Sequence, residues 1–263
     1  MAQWQRIAIA PSQFDLPYIH LTRDQQHYLS RVLRLQSGDR FIAMDGEGQW
    51  WLARLKAPTP LDSPLNSPLN SQAWTAIVEE QLQVQTELSV AVTLIAALPK
   101  GNGFDDVVRA CTELGVDRIL PALSDRTLLE PSPRKIERWR RISREAAEQS
   151  ERQVIPTIAD PLPFPSILQS EVFPPHLYIC VARGDAPHLL DCLQESPPDA
   201  FAQRLQRRIA LAIGPEGGWT PEEVTAAIDA GFVPVSLGCR ILRAVTAPIV
   251  ALSLVAAALE RAK

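Results

Sequence analysis

The chain has no apolar run long enough to cross a membrane. Its longest nearly apolar stretch, residues 244–259, is interrupted by Thr246, Pro248 and Ser253. A membrane-spanning helix needs ~20 predominantly apolar residues. The N-terminal apolar run is also too short for a secretory signal. We therefore expect a cytoplasmic protein that does not insert into a membrane.

Cysteine is scarce and irregularly spaced. The 263 residues include 4 cysteines and no C-x-x-C pair, which argues against a structural zinc site and against a disulfide framework. We expect buried free thiols and no metal. Hydrophobic residues make up 46% of the chain and charged residues 21%, as in an ordinary globular protein of one large domain or two modest ones.

Several nucleotide-binding and hydrolase motifs are missing. The segment 101–106, GNGFDD, follows a predicted strand and opens a helix, but its sixth residue is Asp106 rather than glycine or alanine. The dinucleotide fingerprint therefore fails, and with it the case for a nucleotide-dependent oxidoreductase. No G-x-x-x-x-G-K-[ST] loop and no G-x-S-x-G elbow occurs, so neither a phosphate-binding loop nor a hydrolase elbow is indicated.

Lysine is rare, and arginine supplies most of the positive charge. Only four of the 26 basic residues are lysine, and the net charge of -4 gives no overall attraction to a polyanion. Residues 126–152 nevertheless carry eight basic side chains against five glutamates. The planar guanidinium group suits phosphate contacts, although mixed glutamate and arginine on a helix also occurs on solvated faces.

The first part of the chain predicts a small β-barrel-like domain. Residues 40–44 and 49–55 flank the hairpin connection Asp45–Gly48, and residues 74–80 supply a further strand. A helical piece is expected around residues 24–35, with His27, Arg31 and Arg34 on one face. The proline-rich segment 57–72 is expected to be a surface loop.

From residue 88 onward the pattern alternates between strands and helices, which predicts an α/β domain with ligands beyond the carboxyl ends of the strands. The long helix opens at Ser132-Pro133, with Ile136, Trp139 and Ala146 on its inner face. The expected strands are 90–98, 116–120, 177–181, 209–213 and 232–237, and the other helices include 104–114 and 246–261.

A glycine-rich loop, residues 213–219, follows one of these buried strands. Next come Thr220 as N-cap, Pro221 at the first helical position and Glu223 closing a capping box. Carboxylates thus occupy the positive end of this helix, so a neutral or cationic ligand fits better there than a nucleotide phosphate. A glycine-rich turn without a ligand is the alternative.

A second loop, residues 237–243, joins a strand to the C-terminal helix. Its bulky apolar residues Ile241 and Leu242 need to be covered by the core, by a partner or by a flat apolar ligand such as adenine. The helix that follows is apolar nearly all round, which indicates burial within the domain or against a second subunit.

Together these motifs resemble the SPOUT superfamily of methyltransferases, and within it the RsmE-type family, the 16S rRNA (uracil-N3) methyltransferases. The likeness covers almost the whole chain. It rests on GPEGG at 214–218 and LGCRILR at 237–243, and on HYL at 27–29, VLR at 32–34, TELGV at 112–116, ERW at 137–139 and EAAEQS at 145–150 with Arg152 and Pro156.

The resemblance implies an N-terminal PUA-like β-barrel for RNA at residues 1–84 and a SPOUT α/β domain with a deep trefoil knot at residues 85–263. It also implies a homodimer that uses S-adenosyl-L-methionine to methylate uracil N3 at one uridine of 16S rRNA in the 30S subunit. The implied cofactor-binding residues are Ile213, Gly214, Pro215, Glu216, Gly217, Leu237, Gly238, Ile241, Leu242 and Thr246.

Two departures from the family pattern stand near the predicted site. The family usually continues Arg-Thr-Glu-Thr-Ala, where this chain has Arg243-Ala244-Val245-Thr246-Ala247. A lysine often found four residues before Glu-Leu-Gly is here Arg109. The altered segment leaves open a second reading, a non-catalytic RNA-binding or ribosome-associated protein that keeps the fold.

Methylation at N3 requires loss of the imide proton, and guanidinium groups near O2 or O4 would stabilise the resulting anion. Arg243 is the first candidate for this role and Arg240 the second. For each of them, a salt bridge that holds the loop in place is the alternative. Glu216 is expected either to cap its own turn or to bind the cofactor. The predicted RNA contacts are Arg23, His27, Arg31, Arg34, Arg126, Arg144 and Arg152.

Overall fold

A computed structural model describes residues 4–57, 74–127, 130–170, 176–194 and 208–260. It divides into two compact units. One consists of Met1–Thr86 and Glu148–Val154, and the other of Glu87–Ala147 and Ile155–Lys263. Apart from Ala57, the predicted proline-rich loop at 57–72 lies outside the described residues.

The first unit contains a six-stranded sheet in the order β1-β4-β5-β6-β3-β2. Strand β1 pairs with β4 in parallel, and the remaining neighbours are antiparallel. The strands are β1 Arg6–Ala8, β2 Phe14–Asp15, β3 Tyr18–His20, β4 Arg40–Met44, β5 Trp50–Lys56 and β6 Thr75–Leu82. Its core includes Ile19, Phe41 and Leu55, each almost fully buried.

The predicted hairpin between β4 and β5 is confirmed. The Asp45 side chain accepts hydrogen bonds from the backbone N–H of Glu47 at 2.8 Å and of Gln49 at 2.9 Å. Gly46 and Gly48 have φ of 76° and 122°, which residues with a Cβ rarely adopt. The aspartate and the two glycines together turn the chain back into β5.

The predicted helical piece is shorter than expected. Helix α1, Arg23–His27, is capped by Thr22 and continues into a π-helical turn, Tyr28–Val32. Arg34 lies beyond this turn with φ of 58°, in the left-handed region. The prediction that Arg34 shares a helical face with His27 was therefore wrong.

Residues 148–154 belong to the first unit although they begin at the end of a helix of the second, Pro133–Gln149, and the sequence did not predict this. Arg6 forms a 2.9 Å ion pair with Glu151, and the Glu148 carboxylate accepts the N–H of Ala8 at 2.7 Å. Gln153 accepts the Thr86 N–H at 3.1 Å and donates to the Gly48 carbonyl at 2.9 Å. These bonds join residues that are far apart in the chain, so local patterns do not reveal them.

The second unit is built on a seven-stranded sheet in which every recorded pair is parallel. The order is β10-β8-β7-β12-β11-β13, with β9 beside β8. Its strands are β7 Ala91–Ala97, β8 Arg118–Leu123, β9 Thr157–Ile158, β10 Leu162–Pro163, β11 His176–Cys180, β12 Arg208–Ile213 and β13 Val233–Val235. The helices are α2 Gly103–Glu113, α3 Pro133–Gln149, α4 Phe164–Ser170, α5 Leu189–Gln194, α6 Pro221–Asp229 and α7 Thr246–Glu260. The predicted α/β alternation is confirmed.

Strand β7 is buried on both faces, as its continuous apolar run predicts. Leu94 and Ala96 face one hydrophobic cluster and Ile95 and Ala97 the other. Helix α7 packs against α2, α5 and β12, which buries part of its apolar surface within the unit. Because parallel strands share their direction, the loops after β7, β8, β11, β12 and β13 all leave the same edge of the sheet.

Candidate functional site

Four loops at the carboxyl edge of the second unit's sheet surround a cavity of about 650 Å³. They follow β8, β11, β12 and β13. Residues of the cavity wall include Arg126, Cys180, Val181, Ala182, Arg183, Ile213, Gly214, Pro215, Glu216, Gly217, Gly218, Trp219, Leu237, Gly238, Arg240, Ile241 and Leu242. The two loops singled out in the sequence, 213–219 and 237–243, therefore meet at one site.

The glycine-rich loop is compact and closely packed. The Gly218 N–H donates to the Pro215 carbonyl at 2.8 Å, and Gly218 has φ of 71°. A Cβ added to Gly214 would lie 3.1 Å from the backbone nitrogen of Trp219. The Trp219 indole stacks on Phe164, with ring centroids 4.2 Å apart. Glycine is thus needed here for tight packing as well as for its backbone conformation.

Helix α6 begins directly after this loop with the predicted capping box, which is confirmed. Thr220 Oγ1 accepts the Glu223 N–H at 3.2 Å, and the Glu223 carboxylate accepts the Thr220 N–H at 2.8 Å. Carboxylates occupy the first turn of this helix, as expected. The positive end of the helix is therefore already compensated, which disfavours a bound phosphate at this point.

Glu223 also binds the loop that follows β8, which the sequence did not predict. Its side chain accepts hydrogen bonds from Ser124 Oγ at 3.2 Å and from the Asp125 N–H at 3.0 Å. Glu223 is 3% exposed and Ser124 6%. A buried carboxylate is tolerated because these donors, together with the cap, satisfy its oxygens.

Two further bonds connect the glycine-rich loop to its neighbours. The Glu216 carboxylate accepts the Lys100 N–H at 3.0 Å, which is neither of the two roles expected for it. The Arg126 guanidinium donates to the Gly217 carbonyl. The aliphatic part of Arg126 is also 3.1 Å from the position that a Cβ on Gly217 would occupy. Arg126, expected to contact RNA, is exposed and contacts the glycine-rich loop; its contact with RNA stays a prediction.

Of the two arginines predicted to be catalytic, Arg240 lines the cavity and Arg243 does not. The Arg243 carbonyl accepts the N–H groups of Thr246 and Ala247, each at 2.9 Å, so this residue begins helix α7. Thr246, predicted to bind the cofactor, is the first residue of α7 and is also outside the cavity wall. The catalytic role of Arg243 stays a prediction, at a residue whose neighbour Ala244 lines the cavity.

The remaining nine predicted cofactor-binding residues all line the cavity. Ile241 is 66% exposed, so within this chain the core does not cover it. Gly238 has φ of 109°, and its N–H donates to Ser236 Oγ at 3.1 Å. This turn directs the apolar residues that follow it toward the cavity.

The end of β11 and the loop after it contribute four wall residues that sequence patterns did not indicate: Cys180, Val181, Ala182 and Arg183. Burial raises the pKa of the Cys180 thiol to about 12, so the thiol is neutral at physiological pH. The segment 177–181 was predicted as a strand, but its place beside β12 depends on the order of strands in the sheet. No local sequence signal gives that order.

The predicted RNA contacts separate into exposed and buried residues. Arg23, His27, Arg31 and Arg34 are exposed in the first unit, and Arg144 is exposed in the second. Arg152 is 4% exposed and has partners in the structure. A buried guanidinium cannot reach an RNA backbone, so the assignment of Arg152 to RNA contact is corrected.

All four cysteines carry free thiols. Within the described ranges, no three His, Cys, Asp or Glu side chains are grouped as metal ligands would be. Nor does any helix in these ranges have the length and hydropathy of a membrane span.

Comparison with known proteins places these features in a family. A family model described as the RNA methyltransferase domain matches residues 86–256, and one described as the RNA methyltransferase PUA domain matches residues 21–61. The chain is 47% identical to the ribosomal RNA small subunit methyltransferase E of Synechocystis, over 97% of this chain and 78% of that protein. This chain belongs to the ribosomal RNA small subunit methyltransferase E family. The Bacillus subtilis member is 28% identical over 91% of this chain and 90% of its own.

Solved structures of similar proteins share the fold. The Neisseria gonorrhoeae ribosomal RNA small subunit methyltransferase E, crystallised with S-adenosylmethionine, has a TM-score of 0.75 at 25% identity and covers 95% of this chain and 96% of its own. A Legionella pneumophila protein crystallised with the same cofactor has a TM-score of 0.79 at 26% identity, covering 98% of both chains. Family membership and fold are thus established together.

Proposed function

We propose that this protein uses S-adenosyl-L-methionine to methylate uracil N3 at one uridine of 16S rRNA in the 30S subunit, in the cytoplasm. The observation that carries the proposal is the meeting of loops 213–219 and 237–243 at one cavity. Membership of the family and the bound cofactor in two similar structures support the choice of methyl donor.

The cavity fits this cofactor in size and chemistry. Its volume lies within the ~300–1,000 Å³ of small-molecule sites, and Ile213, Leu237, Ile241 and Leu242 offer an apolar wall for adenine. The buried indole N–H of Trp219 has no hydrogen-bond partner in the described part of the chain, so the wall contains an unsatisfied donor. When bound, the cofactor would supply an electrophilic methyl group on its sulfonium.

The residues of this chain would act mainly by positioning and by electrostatics. Uracil N3 lies on the Watson–Crick edge, so the target base must be unpaired or flipped out to reach the cavity. The uracil would release its N3 proton to solvent, and the resulting anion would accept the methyl group that the bound cofactor supplies. Arg240, which lines the cavity, is now the first candidate to stabilise the negative charge on the uracil oxygens.

The two altered positions differ in their place, because Ala244 lines the cavity and Val245 does not. Val245 lies against Gly103, and a Cβ added there would come within 2.8 Å of its methyl group. Val245 packs against the main hydrophobic cluster and is not part of the cavity wall.

We further propose that the first unit's sheet forms a PUA-like barrel within residues 1–84 and that the second unit, within residues 85–263, forms a trefoil knot. In support, β13 lies at the edge of the sheet beside β11, yet α7, which follows it, packs against β12 and α2. In a trefoil knot the chain must return in this way from the edge of the sheet to its centre, so that the C-terminal helix can pass through a loop formed earlier in the chain. A homodimer is proposed as well, since Ile228, Val233 and Ile241 leave apolar surface exposed on this unit.

Mass spectrometry of 16S rRNA from a strain lacking the gene tests the function directly. We expect the loss of one methyluridine, identified as the N3 isomer by its fragmentation and retention against standards, and its return when the gene is restored. An unchanged set of methyluridines in the deletion strain would refute the proposal. Light scattering of the purified protein tests the dimer.

A further inference from the structure

The cavity wall carries more positive than negative charge. Among the residues that the structure describes, three arginines, Arg126, Arg183 and Arg240, line it together with one carboxylate, Glu216. S-adenosylmethionine carries a sulfonium, an ammonium and a carboxylate, and so has a net charge of one positive unit. A surplus of guanidinium groups repels such a ligand and attracts an anion, so the cofactor alone does not account for this lining.

Two of the four charged groups are already engaged within the protein. Arg126 donates to the Gly217 carbonyl, and Glu216 accepts the Lys100 N–H. Arg183 and Arg240 are exposed and make no hydrogen bond or ion pair within the part of the chain that the structure describes. Their donors are therefore free to bind a ligand.

The topology places these two free arginines on adjacent loops. Strands β11 and β13 are parallel neighbours, with Cys180 opposite Val235. Arg183 follows the end of β11 and Arg240 the end of β13, while Arg126 follows β8 on the far side of the glycine-rich loop. Backbone bonds from Val181 N–H to the Val235 carbonyl and from Ser236 N–H to the Pro187 carbonyl, of 2.9 and 2.8 Å, hold the two loops together.

We propose that Arg183 is a substrate-binding residue that donates to a backbone phosphate of the RNA next to the target nucleotide, whose uracil is the partner proposed for the neighbouring Arg240. This inference rests on the proposed function. The planar guanidinium donates two parallel hydrogen bonds to a phosphate. The carboxylate of the cofactor offers the same kind of oxygens, but the cofactor as a whole is positively charged. The excess of guanidinium groups in the cavity wall therefore favours a phosphate of the RNA, which is negatively charged.

The test compares the wild-type protein with Arg183→Ala, Arg183→Lys and a matched control, Arg208→Ala. Arg208 is an exposed arginine of the same unit at the amino end of β12, away from the cavity. Calorimetry with S-adenosylmethionine and S-adenosylhomocysteine measures cofactor affinity. Methyl transfer to 30S subunits at saturating cofactor and several KCl concentrations measures KM and kcat.

We expect Arg183→Ala to raise KM for the RNA about tenfold or more and to leave cofactor affinity and kcat within about threefold. Loss of one phosphate contact should also lower the slope of log affinity against log salt by roughly 0.7–0.9. Arg183→Lys keeps the charge, so it should keep the salt slope while raising KM less. Arg208→Ala should match the wild type.

Two outcomes would overturn the inference. If Arg183→Ala weakened cofactor binding and left KM for the RNA unchanged, Arg183 would bind the cofactor carboxylate. If all its constants matched those of Arg208→Ala, Arg183 would bind no anion. In both cases the wild-type protein would still methylate rRNA, whereas failure of the proposed function would appear as an inactive wild type.

Discussion

Ser124 Oγ donates a 3.2 Å hydrogen bond to the carboxylate of Glu223, a residue 99 positions later in the chain. Ser124 follows β8, and Glu223 lies in the first turn of α6. The bond joins the loop after β8 to the first turn of α6, which directly follows the glycine-rich loop. Glu223 acts here both as a helix cap and as a connection between elements.

Removing this connection should destabilise the second unit. Glu223→Ala leaves the N–H groups of Thr220 and Asp125 and the Ser124 hydroxyl without their acceptor, so we expect the free energy of unfolding to fall by at least about 3 kcal/mol. Ser124→Ala should cost about 1–2 kcal/mol. Denaturant unfolding measures both.

Glu222→Ala is the matched control, because Glu222 is in the same turn of α6 but is exposed. It should change the free energy of unfolding by less than about 1 kcal/mol. Equal effects of the variants at 222 and 223 would mean that the carboxylate of Glu223 contributes only its charge near the helix end.

Arg126→Ala should weaken cofactor binding rather than RNA binding, because the guanidinium contacts the Gly217 carbonyl. We expect about a tenfold loss of S-adenosylmethionine affinity, equivalent to about 1.4 kcal/mol, with partial recovery in Arg126→Lys. The salt dependence of rRNA binding should stay unchanged. Calorimetry and filter binding at several salt concentrations measure the two effects.

Arg144→Ala is the comparison, since Arg144 is exposed on α3 and is still predicted to contact RNA. It should reduce the salt slope by roughly 0.7–0.9 and leave cofactor affinity unchanged. If Arg126→Ala reduced the salt slope as Arg144→Ala does, the assignment of Arg126 to the glycine-rich loop alone would be wrong.

Gly214→Ala should impair the site with little effect on the rest of the fold. The added Cβ would lie 3.1 Å from the Trp219 nitrogen and 3.2 Å from the Gly218 carbonyl carbon, so the loop must shift by several tenths of an ångström. We expect cofactor affinity to fall at least about tenfold, because small displacements of a positioning loop have large effects.

The control is Gly48→Ala in the first unit, where φ is 122° and nothing lies within 4 Å of the added methyl group. This variant should lower stability by about 1 kcal/mol through backbone strain and keep cofactor affinity. Wild-type affinity in Gly214→Ala would show that the close packing of the loop is not required.

Alkaline pH should destabilise the fold through Cys111, a fully buried thiol on α2. Burial raises its pKa from 9.0 to about 12. The unfolded chain therefore loses the proton before the folded chain does. The stabilisation that Cys111 contributes is fully present below pH 9 and is lost between about pH 9 and 12. Over this range its loss lowers the free energy of unfolding by about 1.4 kcal/mol per pH unit.

Cys111→Ala should reduce this slope without abolishing it, because burial raises the pKa of Cys180 to about 12 as well, whereas Cys239→Ala, at an exposed thiol, should leave the slope unchanged. Denaturant unfolding at several pH values above 8 measures the slopes. Identical slopes in the wild type and Cys111→Ala would exclude Cys111 as the cause.

The sequence by itself determined the features that depend on neighbouring residues. The hairpin at 45–48, the strand and helix alternation from β7 onward and the capping box at Thr220 all arise from local conformational preferences. The two loops beside the cavity were recognisable for the same reason. Their glycines and apolar residues stand together in the chain.

Only the tertiary structure decided which distant residues join them. Arg126 and Arg183 reach the cavity, and Arg152 is buried, because of strand order and packing between segments far apart in sequence. Arg240 lines the cavity and Arg243 does not, although the two are close in the chain. A side chain's type suggests what it can bind, but its partners are set by long-range contacts that no local pattern encodes.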